Sequence, residues 1–441
     1  MAEYRRSYWK TVIAASVVAV GGVASVALLI AAARFRHVSW GPLQWLAWGG
    51  ASIVGASVAA CAALVVAGGV IGLRREALEA RGAPYAPREP REWLPGPTIT
   101  ALFRFGRLLR RALFLRADSL GLRPGELVRV RSLPDILATL DERGTLDGLP
   151  FMPEMVEHCG KRLRVFRRVD KLNDWVRHSG LRRLRNTVLL ERLRCGGGHH
   201  GGCQANCNLR WKEAWLERAT DGLETPVRPA TGAAAPPRPY GEPSLSAADL
   251  RRLASRTDEA GDLHYVCQIT ELAAGTTPLA RPDPRHYLRD LVSGNVRLRP
   301  LLVGISVALF DWVQRARGGV ESPNYTVMEQ TTTPHEVLDL RPGEVVRVRS
   351  KREIERTLNY RSRNRGLWFD KELLRFCGGE YRVLQRVDRL IEESTGKLIQ
   401  LTNPCIILDG VTASGEYHAF CAQNESIFWR EIWLERVAGP R

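Results

Sequence analysis

Residues 122–132 read LRPGELVRVRS, and nearly the same stretch returns at 340–350 as LRPGEVVRVRS. Within each stretch apolar and basic side chains alternate, which is the pattern of a β-strand with one buried and one exposed face. The second stretch lies 218 positions after the first. Because self-similarity at a fixed offset indicates a duplicated structural unit, this motif predicts that the chain contains one domain twice.

The repeat continues well beyond this strand. The same offset relates WKEAWLER at 211–218 to WREIWLER at 429–436. Ser132 precedes an acidic residue three positions on, as does Ser350, and this spacing is typical of a capping box that starts a helix. Short strands separated by turns favour a small antiparallel barrel. We therefore expect two repeated α+β domains, mostly β, each a small Src-homology-like barrel.

Composition shifts between the repeats define the expected domain organisation. A stretch rich in proline and alanine separates the two repeats and has the composition of a linker. We name the repeats copy one (118–220) and copy two (336–441). The remaining expected segments are a transmembrane hairpin (1–75), a basic amphipathic segment (76–117), a linker (221–246) and an intermediate α/β segment (247–335).

The N-terminal region contains two long runs without charge, 11–33 and 38–73. A helix needs about 20 apolar residues to cross a bilayer. Arginines flank both outer ends of the pair, so the positive-inside rule predicts a hairpin in the bacterial inner membrane with both copies on its cytoplasmic side. Residues 4–10, YRRSYWK, offer an alternative, because they resemble a twin-arginine export signal that would place the cysteines in an oxidising compartment.

The chain is strongly basic, with a net charge of +17. This charge favours an anionic partner. Residues 100–116, TALFRFGRLLRRALFLR, place several arginines on one helical face, which suits a bilayer with anionic headgroups or a helix packed on the protein's own core. A protein partner is also expected, and nucleic acid remains an alternative.

Residues 195–207 read CGGGHHGGCQANC. Because structural zinc favours four tetrahedral thiolate or imidazole ligands, we predict a zinc site formed by Cys195, Cys203 and Cys207, with Cys159 as the fourth ligand. Three alternatives stay open at this point: buried cysteines that act as small apolar residues, disulfides if the chain is exported, and an iron–sulfur centre.

Copy two lacks half of this cysteine set. The offset of 218 relates Cys195 to Ala413 and Cys207 to Glu425. The remaining ligand types in copy two form a second candidate set, namely Cys377, Cys405, His418 and Cys421.

Other polar residues that recur have simpler interpretations. His199 and His200 lie between glycines, so we expect an exposed, mobile pair of imidazoles. Glu154 and Glu213 recur in copy two and lie among arginines, so structural ion pairs are favoured over acid–base catalysis. The sequence contains none of the motifs GxxxxGK[ST], GxGxxG, HExxH and GxSxG, and we assign no catalytic residue.

The run from RPGELVRVRS through EHCGKRLRVFRRVDK, with the later HGGCQANC and WKEAWLER, resembles an uncharacterised bacterial family with tandem cysteine-containing modules. That resemblance covers about half of the chain and implies no activity. From the duplication, the linker and the basic charge we predict a membrane-anchored, zinc-binding scaffold or accessory protein without catalytic activity. A redox protein or enzyme that uses the cysteines of copy one is the first alternative, and a nucleic-acid-binding protein is the second.

Overall fold

The computed structural model describes residues 119–219, 244–321 and 329–437. It also describes most of a helical stretch between 59 and 73, and the isolated residues Lys10 and Ala15.

Copy one is built mainly from short strands, because apolar side chains alternate with charged ones along most of them. Its elements are β1 (Leu127–Val130), α1 (Leu133–Leu137), β2 (Thr145–Leu146), β3 (Leu149–Pro150), a 3₁₀ helix (Pro153–His158), β4 (Arg162–Arg168), β5 (Leu172–Asp174), β6 (Gly180–Arg183), β7 (Thr187–Arg194), β8 (Asn208–Lys212), a second 3₁₀ helix (Glu213–Trp215) and β9 (Leu216–Arg218).

The intermediate segment carries the longer helices, and copy two then repeats the strand pattern of copy one. The intermediate elements are α2 (Ala247–Leu253), β10 (Ser255–Thr257), β11 (Leu263–Tyr265), β12 (Thr277–Pro278), α3 (Pro284–Ser293) and α4 (Leu298–Ala316). Those of copy two are β13 (Val345–Val348), α5 (Lys351–Glu355), β14 (Arg363–Asn364), β15 (Leu367–Trp368), a 3₁₀ helix (Lys371–Phe376), β16 (Glu380–Ile391), β17 (Leu398–Thr412), β18 (Ser426–Trp429), a 3₁₀ helix (Glu431–Trp433) and β19 (Leu434–Arg436).

The two copies have the same sheet topology. Copy one forms an antiparallel sheet in the order β8-β7-β4-β1-β9, and copy two forms one in the order β18-β17-β16-β13-β19. Within the described strands the two edges of each sheet do not pair with each other, so each sheet is a half barrel. The prediction of closed Src-homology-like barrels is therefore wrong, and the described chain is mostly β.

Aromatic side chains fill the core of each copy. Trp215 and Trp433 are fully buried. Each meets a phenylalanine edge to face, Phe151 at 5.1 Å between ring centroids in copy one and Phe369 at 5.2 Å in copy two. Aromatic pairs in this arrangement stabilise a core beyond the area they bury. The equal geometry shows that the copies share their packing as well as their strand order.

A buried carboxylate joins the start of copy one to its sheet. Glu213, which follows β8, accepts the backbone N–H of Leu122 at 2.9 Å and the hydroxyl of Ser119 at 2.7 Å, and it pairs with Arg168 of β4. In copy two, Glu431 accepts the backbone N–H groups of Leu338 and Leu340 and pairs with Arg386, while Val337 stands in place of Ser119. Burial by itself would raise the pKa of Glu213, but Arg168 and these hydrogen bonds hold it below its usual value.

The two copies contact each other through reciprocal loops. The sulfur of Cys203 in copy one accepts the N–H of Ile391 in copy two at 3.4 Å. The sulfur of Cys421 in copy two accepts the N–H of Asn173 in copy one at 3.2 Å. These two contacts are related by the repeat offset, so the copies pack about an approximate twofold axis. The neighbouring backbone bonds follow the same relation, from Gln204 to Arg389 at 3.1 Å and from Ala422 to Lys171 at 3.2 Å.

The membrane prediction needs correction. None of the helices in the described residues is both long enough and apolar enough to span a bilayer. The predicted transmembrane hairpin is wrong on this finding, and the inner-membrane location with cytoplasmic copies is withdrawn with it. The first predicted span lies outside the described residues apart from Ala15, and so does the first part of the second span.

Several other sequence predictions also fall outside the described residues. These are the export-signal alternative at 4–9, the basic amphipathic helix at 100–116 and most of the proline-rich linker. The domain boundaries given above stay predictions.

The buried ion pair gives a prediction about stability. The side chains of Glu213 and Arg168 are 1% and 7% exposed, whereas the pair formed by Glu217 and Arg129 is 38% and 46% exposed. Because Glu213→Gln removes one of the two carboxylates that pair with the buried guanidinium of Arg168, the other being Asp170, we expect the free energy of unfolding to fall by about 1.5–3 kcal/mol. Glu217→Gln is the matched control and should cost at most about 1 kcal/mol. Urea unfolding measures both.

The same pair predicts how stability depends on pH. Since the pKa of Glu213 is lowered in the folded state, its contribution is present above the unfolded pKa of about 4.3 and is lost as the pH falls. The unmodified protein should therefore lose more stability than Glu213→Gln as the pH falls below about 4.3, and the difference between the two proteins should be nearly constant above about pH 5. Equal losses in the two proteins would show that this carboxylate does not carry the effect.

Candidate metal centre

The cysteine-rich stretch forms the connection between β7 and β8. The N–H of Cys195 donates to the carbonyl oxygen of Cys207 at 2.8 Å, which extends the ladder one step beyond the strands. The loop then folds back tightly on itself. A Cβ atom at Gly197, where φ is +71°, would lie 2.0 Å from the carbonyl oxygen of Cys203. Only glycine fits this position, so the local sequence fixes the shape of the loop.

Three ligand-type side chains meet at the base of this loop. They are Glu154 from the first 3₁₀ helix, Cys195 at the end of β7 and His200 in the following turn, and their ligand atoms all lie within 4.8 Å of one another. We name this group the metal triad. A carboxylate oxygen, a thiol sulfur and an imidazole nitrogen are the three donor types that proteins use for zinc. The triad could hold a metal ion.

The carboxylate of Glu154 has unused bonding capacity. Its Oε1 accepts the N–H of His199 at 3.1 Å and lies 2.7 Å from Nδ1 of His200. Its Oε2 is buried and has no hydrogen-bond partner among the residues that the structure describes. Burial would raise the pKa of Glu154, but the contact with His200 keeps it below its usual value. A buried, negatively charged oxygen without a donor is costly, so the residues present fit a cation.

His200 is held rigidly inside the protein. Its side chain is 1% exposed, and its Nε2 lies 3.1 Å from the carbonyl oxygen of Val266. Both ring nitrogens therefore face oxygen acceptors, Glu154 on one side and Val266 on the other. The prediction of an exposed, mobile histidine pair is wrong for His200, because the glycine turn folds its ring inward rather than towards solvent.

A cleft opens beside the metal triad. It encloses about 510 Å³, part of which is open to solvent, and its walls are mostly apolar. Four of its lining side chains are thiols, from Cys195, Cys203, Cys207 and Cys267. The first three come from the loop of copy one, whereas Cys267 comes from the intermediate segment. We name this space the cysteine cleft.

Backbone N–H groups point at two of these sulfurs. The N–H of Gly197 is directed at Cys195, and those of Ile269 and Thr270 are directed at Cys267. Such donors stabilise a thiolate and lower its pKa. Burial has the larger effect, however, and raises the pKa of Cys195 to about 12 and that of Cys267 above its usual value. These thiols are therefore protonated at neutral pH until a cation replaces the proton.

The structure brings together three of the four predicted zinc ligands. Cys195, Cys203 and Cys207 line the cysteine cleft, but Cys159 does not. Cys159 follows the 3₁₀ helix Pro153–His158, where it packs against the core and burial raises its pKa to about 11. The thiol that joins the other three is Cys267. Its sequence context carries no metal motif, so sequence reasoning missed it.

The candidate ligands of copy two have separate partners. Within the described residues they form no cluster of three ligand atoms. The thiol of Cys377 donates to the carbonyl of Leu373 at 3.9 Å, and the guanidinium of Arg430 donates to the buried sulfur of Cys405 at 3.3 Å. The ring of His418 lies 3.0 Å from both oxygens of Asp370. The sulfur of Cys421 lies at the interface with copy one.

Copy two also shows how the protein itself can satisfy the triad carboxylate. Glu372, the counterpart of Glu154, accepts the N–H and the hydroxyl of Ser414 at 2.8 and 2.7 Å and the N–H of Tyr417 at 3.1 Å. The counterpart of Ser414 in copy one is Gly196, which has no hydroxyl to donate. Copy two therefore lacks both the thiol and the unpaired oxygen that distinguish copy one.

No family model, no curated protein and no solved structure matches this chain. The chemistry of the site is therefore argued from its own residues.

The comparison of the copies predicts the effect of one substitution. Gly196 has an ordinary φ, and a Cβ atom added there would have no neighbour within 4 Å, so Gly196→Ser should fold without strain. Its hydroxyl would donate to Oε2 of Glu154, as Ser414 does to Glu372. Since a hydrogen bond to a charged group contributes about 1.5–3 kcal/mol, metal affinity should fall by about 10-fold or more.

Gly198→Ser is the matched control, because Gly198 also has an ordinary φ and open space around it. Competition with a chromophoric chelator measures zinc affinity in both variants. Equal affinity in Gly196→Ser and in the unmodified protein would show that Oε2 of Glu154 takes no part in metal binding.

Proposed function

We propose that this protein is a metal-binding scaffold of two tandem modules without catalytic activity, and that copy one binds a zinc ion through the metal triad. The observation that carries this proposal is the buried, unpaired Oε2 of Glu154 beside the thiol of Cys195 and the ring of His200.

The donor set supports zinc. Carboxylate, imidazole and thiolate ligands together suit zinc better than magnesium or calcium, which prefer oxygen ligands only. Copy two has Ala413 at the position of Cys195, and its carboxylate Glu372 already accepts two hydrogen bonds from Ser414. These differences support a single ion per chain rather than one in each copy.

A structural role follows from where the loop lies. An ion in the metal triad would tie the loop of copy one to the 3₁₀ helix that carries Glu154. The same loop contacts copy two through Cys203 and Gln204. Zinc would therefore stabilise the arrangement of the two copies. A scaffold also needs a partner, and the net charge of +17 supports an acidic protein surface or anionic lipid headgroups over a neutral one.

An iron–sulfur redox protein is the second candidate, because four cysteines line one cleft. Cysteine thiolates are the usual ligands of an iron–sulfur cluster, and such a cluster takes four of them. Visible absorbance in anaerobically purified protein would favour this function. A colourless protein that contains zinc would exclude it.

Zinc content tests the main proposal. The anaerobically purified full chain should contain about one zinc per chain, as a single site requires. Glu154→Gln and Cys195→Ala should each lose most of it, while Glu372→Gln, at the equivalent position of copy two, should retain it. Zinc at 100 times its dissociation constant should also add about 2.7 kcal/mol to the free energy of unfolding. Elemental analysis and thermal unfolding measure these effects.

Two results would contradict this function. The first is a zinc content well below one half per chain in the unmodified protein. The second is an equal loss of zinc in Glu154→Gln and Glu372→Gln, which would place the ion away from the metal triad. Turnover of a small molecule by the purified chain would overturn the non-catalytic part of the proposal alone.

A further inference from the structure

We infer that Cys267, from the segment between the two copies, is the fourth ligand of the ion in the metal triad. This inference rests on the proposed function. Three protein ligands leave one tetrahedral position of zinc open. The cysteine cleft borders the metal triad and presents three further thiols that could supply the fourth ligand.

The backbone beside Cys267 already contacts the metal triad. The carbonyl of Val266, one residue earlier, lies 3.1 Å from Nε2 of His200. The N–H of Cys267 donates to the hydroxyl of Thr270 at 2.9 Å, and that hydroxyl donates back to the carbonyl of Cys267 at 3.1 Å. One hydrogen bond therefore ties this turn to the metal triad, and two more within the turn fix its shape.

The other two thiols of the cysteine cleft face copy two. The sulfur of Cys203 accepts the N–H of Ile391 at 3.4 Å, so moving it onto the ion would remove a contact between the copies. Cys207 lies near the carboxylate of Glu425, whose charge opposes a thiolate there. Cys267 has neither constraint. Of the three further thiols that line the cysteine cleft, Cys267 is therefore the best placed to bind the ion.

The surroundings of Cys267 also suit a bound thiolate. The N–H groups of Ile269 and Thr270, two and three residues later, are directed at its sulfur. Donors in these positions stabilise the negative charge of a metal-bound sulfur and orient it. The sulfur lies outside the 4.8 Å group formed by the metal triad, so ligation requires rotation about its side-chain bond or a small closure of the turn.

Ligation by Cys267 would make the site closed. Glu154, Cys195, His200 and Cys267 would fill all four positions, which is the arrangement of structural rather than catalytic zinc. The ion would then join three separate parts of the chain: the 3₁₀ helix of copy one, its loop, and the intermediate segment.

Zinc affinity of the full chain tests the assignment. Cys267→Ser should weaken zinc binding by more than the roughly 10–100-fold that loss of an outer partner costs. Cys203→Ser keeps the four ligands and should leave the affinity nearly unchanged. If Cys203→Ser loses zinc and Cys267→Ser keeps it, the inference is wrong. If the unmodified chain binds no zinc, the proposed function fails as well, so the two failures are distinguishable.

A second measurement uses the unmodified protein and avoids any doubt about folding of the variants. Alkylation of each cysteine is followed by mass spectrometry with and without zinc. Because the free thiolate is the reactive species, zinc should slow modification of Cys195 and Cys267 by more than about 10-fold and leave Cys203 and Cys207 nearly unaffected. Protection of Cys195 without protection of Cys267 would overturn the inference and keep the metal site.

Discussion

The fold of each copy depends on a buried carboxylate that links its first segment to its central strands. In copy one, Glu213 accepts an N–H from Leu122 just before β1 and pairs with Arg168 at the end of β4. Both side chains are almost fully buried, so their charges must be satisfied inside the protein, by each other and, for Arg168, also by Asp170. The carboxylate follows β8 directly, and β8 supports the loop with the cysteines. The position of the metal triad thus depends on an ion pair that lies outside it.

Much of the fold follows from local patterns. The alternation in β1 and β13 and the helix caps at Ser132 and Ser350 agree with the sequence predictions. Each of these depends on residues within a few positions of one another. The 3₁₀ turn Glu213–Trp215 does not, although it lies within the repeated motif WKEAWLER. Its reversal depends on partners of Glu213 that lie about 90 positions away in the sequence, which no local pattern records.

The candidate site, like the fold, was predictable from the sequence only where its residues lie close together along the chain. The loop and three of its thiols were found from composition and spacing, because glycine and cysteine act locally there. Cys267 was missed and Cys159 was included, since the choice between them depends on how the intermediate segment folds over copy one. Glu154 was interpreted as a structural ion pair. Glu154 recurs as Glu372, and each loop has a histidine at the equivalent position. This recurrence was the sequence signal that could have indicated a ligand role for Glu154.

The reciprocal contacts between the copies bear on how the duplicated halves have diverged. Copy two has alanine and glutamate where copy one has Cys195 and Cys207, yet it retains Cys421. The sulfur of Cys421 contacts the backbone of copy one at Asn173. The sulfur of Cys421 thus has a packing role that does not require the other cysteines of the loop. Where copy one has Cys207, copy two has Glu425, whose carboxylate pairs with the buried Arg210 of copy one, so the two loops support the same interface with different chemistry.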